Sequence, residues 1–180
     1  MKSVLFVIFT LMINVSLFFV GQVNAKSVGD HSPPQLIVGE ALPEYSKVYD
    51  EKRDPFSDAN EALALAKKTN RNVLIEIGGN WCTWCHKMDA FLEENPDVYK
   101  ELHSKYVLLK ISVSDANENE SFMKSLPPVL GYPHMYVSTA SGKMLLSKDT
   151  AELQDSNGYS TEYWLAFLQQ WQSKAVSSKP

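Results

Sequence analysis

WCTWCHKM, residues 81–88, contains both cysteines of the 180-residue chain. Cys82 and Cys85 are separated by two residues, and His86 follows directly. Three kinds of site have this spacing: a C-x-x-C redox pair, the C-x-x-C-H attachment sequence of c-type haem, and a cluster of zinc ligands. The sequence around these residues decides between the three.

The length of 180 residues favours one domain, and the composition is that of a globular protein. Hydrophobic residues make up 44% and charged residues 21%, and the formal net charge is -4. The sequence has no basic stretch with interleaved aromatic residues. Nucleic acid is therefore not expected as a partner.

Residues 1–25 have the pattern of a secretory signal peptide. Lys2 supplies a positive charge, residues 4–20 are mostly apolar, and small residues precede a cleavage site after Ala25. The protein is therefore expected to be periplasmic or secreted. A signal peptide followed by a single domain favours a bacterial periplasm. The alternative is an uncleaved membrane anchor, since the apolar run is slightly long for a signal peptide.

Two regions outside the predicted domain carry little periodic pattern. Residues 26–50 hold Pro33, Pro34 and Pro43, which predicts a linker or an N-terminal extension that lies over the domain. Residues 173–180 are predicted to form a flexible tail. The domain itself is expected over residues 51–172.

The number and spacing of the cysteines favour a reactive pair. Exported proteins that use disulfides for stability usually have several, spread along the chain. A bond between Cys82 and Cys85 closes a very small loop, which constrains little of the unfolded chain. A purely structural disulfide is therefore the weaker interpretation.

Hydrophobic periodicity predicts an α/β fold in which helices flank a mixed central β-sheet. Asp58 and Glu61 have capping-box spacing at the start of the first predicted helix. Helices are predicted over residues 59–69, from Cys85 onward, over residues 96–104 and 118–126, and around Trp164, Phe167, Leu168 and Trp171. Strands are predicted over residues 72–77, 106–113, 135–137 and 143–147, the last two as a hairpin.

This order of elements favours the redox interpretation of the two cysteines. A junction from strand to helix places Cys82 in the first helical turn, where free N–H groups and the helix dipole stabilise a thiolate. Haem attachment is typical of mostly helical domains, which the strand before Trp81 does not suit. Zinc would need two further ligands, and the other histidines lack the spacing for them. We therefore expect neither a metal nor a cofactor.

Three features of the sequence resemble the thioredoxin superfamily, in particular its exported members. They are the strand and motif VLIEIGGNWCTWCHKM over residues 73–88, the triplet Gly131-Tyr132-Pro133, and the closing hairpin with its amphipathic helix. The resemblance covers residues 56–171. The last domain of DsbD-type thiol:disulfide interchange proteins is a more distant relative. The resemblance implies a thioredoxin-like fold.

The resemblance also implies roles for residues at matching positions. Cys82 would be the attacking thiol and Cys85 the resolving thiol, with a Cys82–Cys85 disulfide in the oxidised form. Pro133 would follow a cis peptide bond and lie against the pair. Tyr132 would offer backbone groups to an extended substrate strand.

Two further positions match a buried acid and its lysine partner in thioredoxins. Glu76 would handle the proton of Cys85, and Lys110 would be the partner of Glu76. The alternative for each is an ordinary solvated strand residue, although the apolar neighbours of Glu76 predict burial and a raised pKa. The spacer Thr83-Trp84 replaces Gly-Pro, so the redox direction cannot be transferred from thioredoxin.

The remaining residues of the motif have two interpretations each. Trp81 and Trp84 are either packing residues or, as we expect, an apolar lip for substrate docking beside an exposed disulfide. His86 is either an exposed helix residue or, if charged, a group that favours the thiolate.

These observations predict an exported thiol–disulfide oxidoreductase, with reduction as the preferred direction. Its partners would be cysteine-containing protein substrates and a membrane-bound electron donor or acceptor of the thiol–disulfide type, and the protein would act as a monomer. One alternative is a client-binding, chaperone-like module that keeps the fold without catalysis. Another is a c-type haem carrier that uses CTWCH.

Overall fold

The structure, a computed structural model, describes residues 41–173. The predicted signal peptide, residues 26–40 of the predicted linker or extension, and residues 174–180 of the predicted tail lie outside the described residues. The domain that follows is built on a four-stranded sheet.

The central sheet is mixed, as predicted. Its strands are β1 (Asn72–Gly78), β2 (Tyr106–Ser112), β3 (His134–Ser138) and β4 (Met144–Asp149). They lie in the order β2-β1-β3-β4, with β1 parallel to β2 and antiparallel to β3. Every residue of β1 and β2 is buried, which is characteristic of strands that are covered on both faces.

Helices cover both faces of this sheet. They are α1 (Glu44–Lys47), α2 (Pro55–Thr69), α3 (Thr83–Glu94), α4 (Pro96–Lys105), α5 (Glu120–Met123) and α6 (Thr161–Gln170). A 3₁₀ helix (Thr150–Leu153) and a small hairpin of β5 (Gln154–Asp155) and β6 (Gly158–Tyr159) precede α6. The hairpin and α1 were not predicted from the sequence.

Alternate residues of β1 supply the two halves of the core. Leu74 packs in one half with Met88 of α3 and the fully buried Trp164 of α6. Ile75 and its neighbours pack in the other half against α1, α2 and α5. Because side chains alternate across a strand, one short apolar strand serves both layers.

The start of α2 differs from the sequence-based prediction. The helix begins at Pro55, and the side chain of Asp54 accepts a hydrogen bond of 2.8 Å from the backbone N–H of Ser57. Asp58 lies inside the helix and pairs with Arg53. The predicted capping box at Asp58 is therefore wrong, because proline favours the first helical position and moves the cap four residues upstream.

The first residues that the structure describes, 41–50, pack against the domain. We call them the N-terminal segment. Tyr45 and Tyr49 are only 2% and 4% exposed, and Ser46 Oγ donates a hydrogen bond of 2.5 Å to the carbonyl oxygen of Leu108. This part of the chain behaves as an extension over the domain, and the packed unit includes residues before position 51.

Across residues 41–173, none of the helices has both the length and the apolar character needed to cross a membrane.

Replacing Tyr45 tests whether the N-terminal segment contributes to stability. Tyr45→Ala removes a buried aromatic ring and should lower the free energy of unfolding by about 3 kcal/mol, measured by urea denaturation. Val48→Ala is the matched control, since Val48 is 54% exposed in the same segment. Equal effects of the two substitutions would show that the segment is not packed in solution.

Candidate active site

The two cysteines lie where β1 gives way to α3. Cys82 is the N-cap residue of α3, and its Sγ accepts a hydrogen bond of 3.1 Å from the backbone N–H of Cys85. The two sulfur atoms form a disulfide, and the Cα atoms are 5.2 Å apart. The positive end of the helix dipole therefore acts on Cys82, which favours a thiolate there in the reduced state.

The disulfide is less exposed than the sequence suggests. Cys82 is 3% exposed and Cys85 is fully buried. The expectation of an exposed disulfide is wrong, because Tyr49 of the N-terminal segment packs in one buried cluster with both cysteines. Cys82 is the member of the pair that keeps some contact with solvent, so it is the sulfur that another thiol would reach first.

Trp81 is held at the surface by a hydrogen bond. Its Nε1 donates to the carbonyl oxygen of Val113 over 2.6 Å, while 54% of the residue stays exposed. Gly79 makes this possible, since a Cβ atom there would lie 2.6 Å from Trp81 Nε1 and 2.7 Å from the Val113 oxygen. The exposed indole ring is therefore fixed in position.

Trp84, the other residue of the predicted lip, is 39% exposed. Its ring meets that of Tyr159 edge-on at 6.0 Å, and the ammonium of Lys87 lies 4.0 Å from its centre. Trp81 and Trp84 thus both combine packing contacts with exposed surface, so their two predicted roles are compatible.

The turn before β3 lies beside the motif. The peptide bond between Tyr132 and Pro133 is cis, as the thioredoxin resemblance implies. The ring of Tyr132, 40% exposed, meets that of Trp81 edge-on at 5.2 Å. Thr150 Oγ1 donates a hydrogen bond of 2.6 Å to the Pro133 carbonyl oxygen, which anchors the turn to the 3₁₀ helix.

Glu76 is buried in the middle of β1, as predicted, with 1% exposure. Burial raises the pKa of its carboxyl to about 7, and the nearby Lys110 charge only partly opposes this effect. The hydrogen-bond partner of Glu76 is the hydroxyl of Tyr49, which donates to Glu76 Oε1. A carboxyl with a pKa near neutrality is suited to exchanging a proton.

Lys110 acts on Glu76 through its charge, and its own ion pair is with another residue. It is 5% exposed, so it is not a solvated strand residue. It lies opposite Glu76 in the parallel pairing of β1 and β2, yet its Nζ pairs with the carboxylate of Asp89. The ammonium of Lys110 forms its ion pair with Asp89 on α3, so it acts on Glu76 only through its charge. The direct hydrogen bond to Glu76 comes from Tyr49.

Sequence reasoning therefore missed two residues of the site. Asp89 follows Cys85 by four residues, so helical spacing places both on one face of α3, and that signal was available. Tyr49 carried no such signal, because it lies in the segment with prolines and without periodicity. Only tertiary packing brings it to the cysteines.

His86 is exposed, and its Nε2 donates a hydrogen bond of 2.8 Å to the carbonyl oxygen of Asn80. Its ring is thereby turned toward the loop that precedes the helix.

Within residues 41–173, no three side chains of histidine, cysteine, aspartate or glutamate lie close enough together to hold a metal ion.

Comparison with known proteins agrees with this geometry. Residues 54–139 match a protein family described as Thioredoxin-like. The chain is 25% identical over 117 residues to the thiol:disulfide interchange protein DsbD of Klebsiella pneumoniae, covering 65% of this chain and 18% of that protein. The chain therefore spans less than a fifth of the length of this curated relative.

Two crystal structures share the fold. A disulphide isomerase from Xylella fastidiosa Temecula1 superposes with a TM-score of 0.59 at 25% identity, covering 73% of this chain and 97% of that one. The oxidised C-terminal domain of DsbD from Neisseria meningitidis gives 0.52 at 16% identity, covering 66% and 97%. The chain has a thioredoxin-like fold, and its residues 54–139 are similar to the Thioredoxin-like family.

The raised pKa of Glu76 predicts how stability depends on pH. Glu76 has an ordinary pKa of 4.5 when unfolded and about 7 when folded, so the folded protein binds its proton more tightly. Stability from this group is therefore full below pH 4.5 and is lost as the pH rises to 7. Glu76→Gln cannot titrate, so its stability relative to wild type should increase by about 3 kcal/mol between about pH 4 and about pH 8.

Urea denaturation of the oxidised proteins measures this difference, since the disulfide keeps the thiols from titrating. Glu93→Gln is the control, because Glu93 is exposed on α3. A difference between Glu76→Gln and wild type that does not change with pH would contradict the raised pKa of Glu76.

Proposed function

We propose that this protein is an exported thiol–disulfide oxidoreductase that reduces disulfides in protein substrates. The observation that carries the proposal is the Cys82–Cys85 pair at the N-terminus of α3, preceded by a strand that holds the buried carboxyl of Glu76. The match of residues 54–139 to the Thioredoxin-like family and the similarity to a thiol:disulfide interchange protein support it.

The geometry supports a reaction in two steps. Cys82, the less buried cysteine, attacks a substrate disulfide as a thiolate, and a mixed disulfide forms while one substrate thiolate leaves. Cys85 then loses its proton and attacks Cys82 Sγ, which releases the second substrate thiolate and leaves the Cys82–Cys85 disulfide. Two electrons pass from the protein dithiol to the substrate.

The buried carboxyl of Glu76 supplies the proton acceptor that substrate reduction requires in its second step. The second step requires a proton acceptor within the protein, because Cys85 is fully buried. A carboxyl with a pKa of about 7 is partly ionised at neutral pH and accepts that proton. A membrane-bound thiol–disulfide protein on the exported side would then return the electrons.

The surface around Cys82 supports a protein substrate. Trp81 and Tyr132 form an exposed aromatic pair, and Trp84 adds a third partly exposed ring. Rigid aromatic rings provide contact area with little loss of conformational freedom, which is suited to docking many different chains.

The two alternatives account for fewer features of this site. A c-type haem would need both sulfur atoms for thioether links and His86 as an axial ligand. Here the sulfur atoms are joined to each other, and His86 Nε2 donates to Asn80. A client-binding module would use the aromatic rings, but it has no need of a carboxyl buried near the cysteines.

Trapping the mixed disulfide tests the proposal and the order of the cysteines. Cys85→Ser should accumulate a covalent adduct between Cys82 and a peptide that contains a disulfide, seen by intact mass. Cys82→Ser should accumulate none, although Cys85 remains. If Cys82→Ser still binds unfolded clients and wild type reduces no disulfide, the chaperone-like alternative replaces the proposal.

Redox equilibration with glutathione or dithiothreitol buffers tests the direction. Alkylation of the two cysteines, read by intact mass, should give a reduction potential near roughly -270 mV, the value of a reductase. A potential near roughly -120 mV would mean that the protein oxidises its substrates instead.

A further inference from the structure

Tyr49 occupies the position between the buried carboxyl and the buried cysteine. Its hydroxyl donates to Glu76 Oε1. The same oxygen would lie 2.7 Å from a Cβ atom placed on Gly78, and Cys85 Sγ would lie 2.5 Å from that point. The tyrosine oxygen and the cysteine sulfur therefore lie close together, next to the position that a side chain on Gly78 would occupy.

The surroundings leave this hydroxyl with little freedom. Tyr49 is 4% exposed and packs in one buried cluster with Cys82 and Cys85. Asn80 Nδ2 donates a hydrogen bond of 3.1 Å to the backbone carbonyl oxygen of Tyr49, which fixes the residue at the end of the N-terminal segment. Gly78 is the residue whose lack of a side chain leaves room for both the hydroxyl and the sulfur.

We infer that the Tyr49 hydroxyl relays the proton of Cys85 to Glu76 during the second step of disulfide exchange. As Cys85 attacks Cys82 Sγ, its thiol proton moves to the tyrosine oxygen, and the proton of that hydroxyl moves to Glu76 Oε1. Tyr49 ends neutral, Glu76 ends as a carboxylic acid, and the substrate leaves as a thiolate. The inference rests on the proposed oxidoreductase function.

A relay explains why a residue from outside the predicted domain reaches the active site. The hydroxyl transfers a proton without becoming charged, which suits it to a buried position where a tyrosinate would be costly. Burial and the nearby Glu76 raise the pKa of Tyr49 well above its ordinary value, so it stays protonated at neutral pH.

Stopped-flow oxidation of the reduced protein by glutathione disulfide separates the two steps. The first phase, attack by Cys82, depends on the concentration of glutathione disulfide, whereas attack by Cys85 does not. The fluorescence of Trp81 and Trp84, on either side of Cys82, provides the signal. Tyr49→Phe keeps the ring and should slow the second phase by about a hundredfold near pH 7, a typical contribution of acid–base catalysis.

Tyr45→Phe is the matched control, because it removes a hydroxyl from the other buried tyrosine of the N-terminal segment. It should leave both phases within about twofold of wild type, since Tyr45 lies in a different core cluster from the cysteines. In Tyr49→Phe the first phase should likewise be unchanged within about twofold.

Combining substitutions tests whether Tyr49 and Glu76 act as one unit. Glu76→Gln and Tyr49→Phe should each slow the second phase by about a hundredfold, and the double variant should be no slower than either. A double variant slower by about ten-thousandfold would show independent effects and overturn the relay.

The pH profile provides a readout that a purely structural tyrosine would not change. The groups facing the Tyr49 ring and hydroxyl are Glu76 on β1, Asp89 on α3, Lys110 on β2 and Tyr159 on β6. Asp89 and Lys110 pair with each other, and burial raises the pKa of Tyr159 to about 12. In wild type the rate of the second phase should therefore rise with pH and level off near pH 7, where Glu76 titrates.

In Tyr49→Phe the rate of the second phase should keep rising with pH above 7, until the Cys85 thiol loses its proton directly to solvent. A profile with the wild-type shape, or a second phase of unchanged rate, would overturn the relay and leave the oxidoreductase function standing. If wild type shows neither phase, the proposed function itself fails.

Discussion

The burial of the Glu76 carboxyl in the central strand is the constraint on which the site depends. β1 lies between β2 and β3, and helices cover both faces of the sheet, so each residue of β1 is removed from water. An ionised carboxylate in such a place is costly unless it has partners. The Tyr49 hydroxyl and the charge of Lys110 stabilise the carboxylate of Glu76, and Lys110 is itself paired with Asp89.

Most of the fold was predictable because its signals are local. The apolar run of β1, the proline at the start of α4 and the aromatic spacing of α6 each act within a few residues, and the structure has all three elements. The start of α2 was misplaced because two capping patterns overlap there. Asp54 with Pro55 prevails over Asp58, since proline is suited to the first turn and Asp58 pairs with Arg53.

The candidate site was predictable only where spacing along the chain carried the information. Cys82, Cys85 and Glu76 belong to one continuous stretch, and their positions follow from a strand that leads into a helix. Tyr49 belongs to a segment with no periodic pattern, and it contacts them only through tertiary packing. The pairing of Lys110 depends on which carboxylate is nearer in space, and neighbouring strand positions do not determine that.

The hydrogen bond from Trp81 to Val113 has a consequence for molecular recognition. An exposed indole ring normally samples several rotamers and loses that entropy when a partner binds. Here the Val113 carbonyl oxygen holds the ring of Trp81. The absence of a side chain on Gly79 lets the ring approach that oxygen. Much of the ordering is thus complete before any partner arrives, so a partner that docks on this ring loses less conformational entropy on binding.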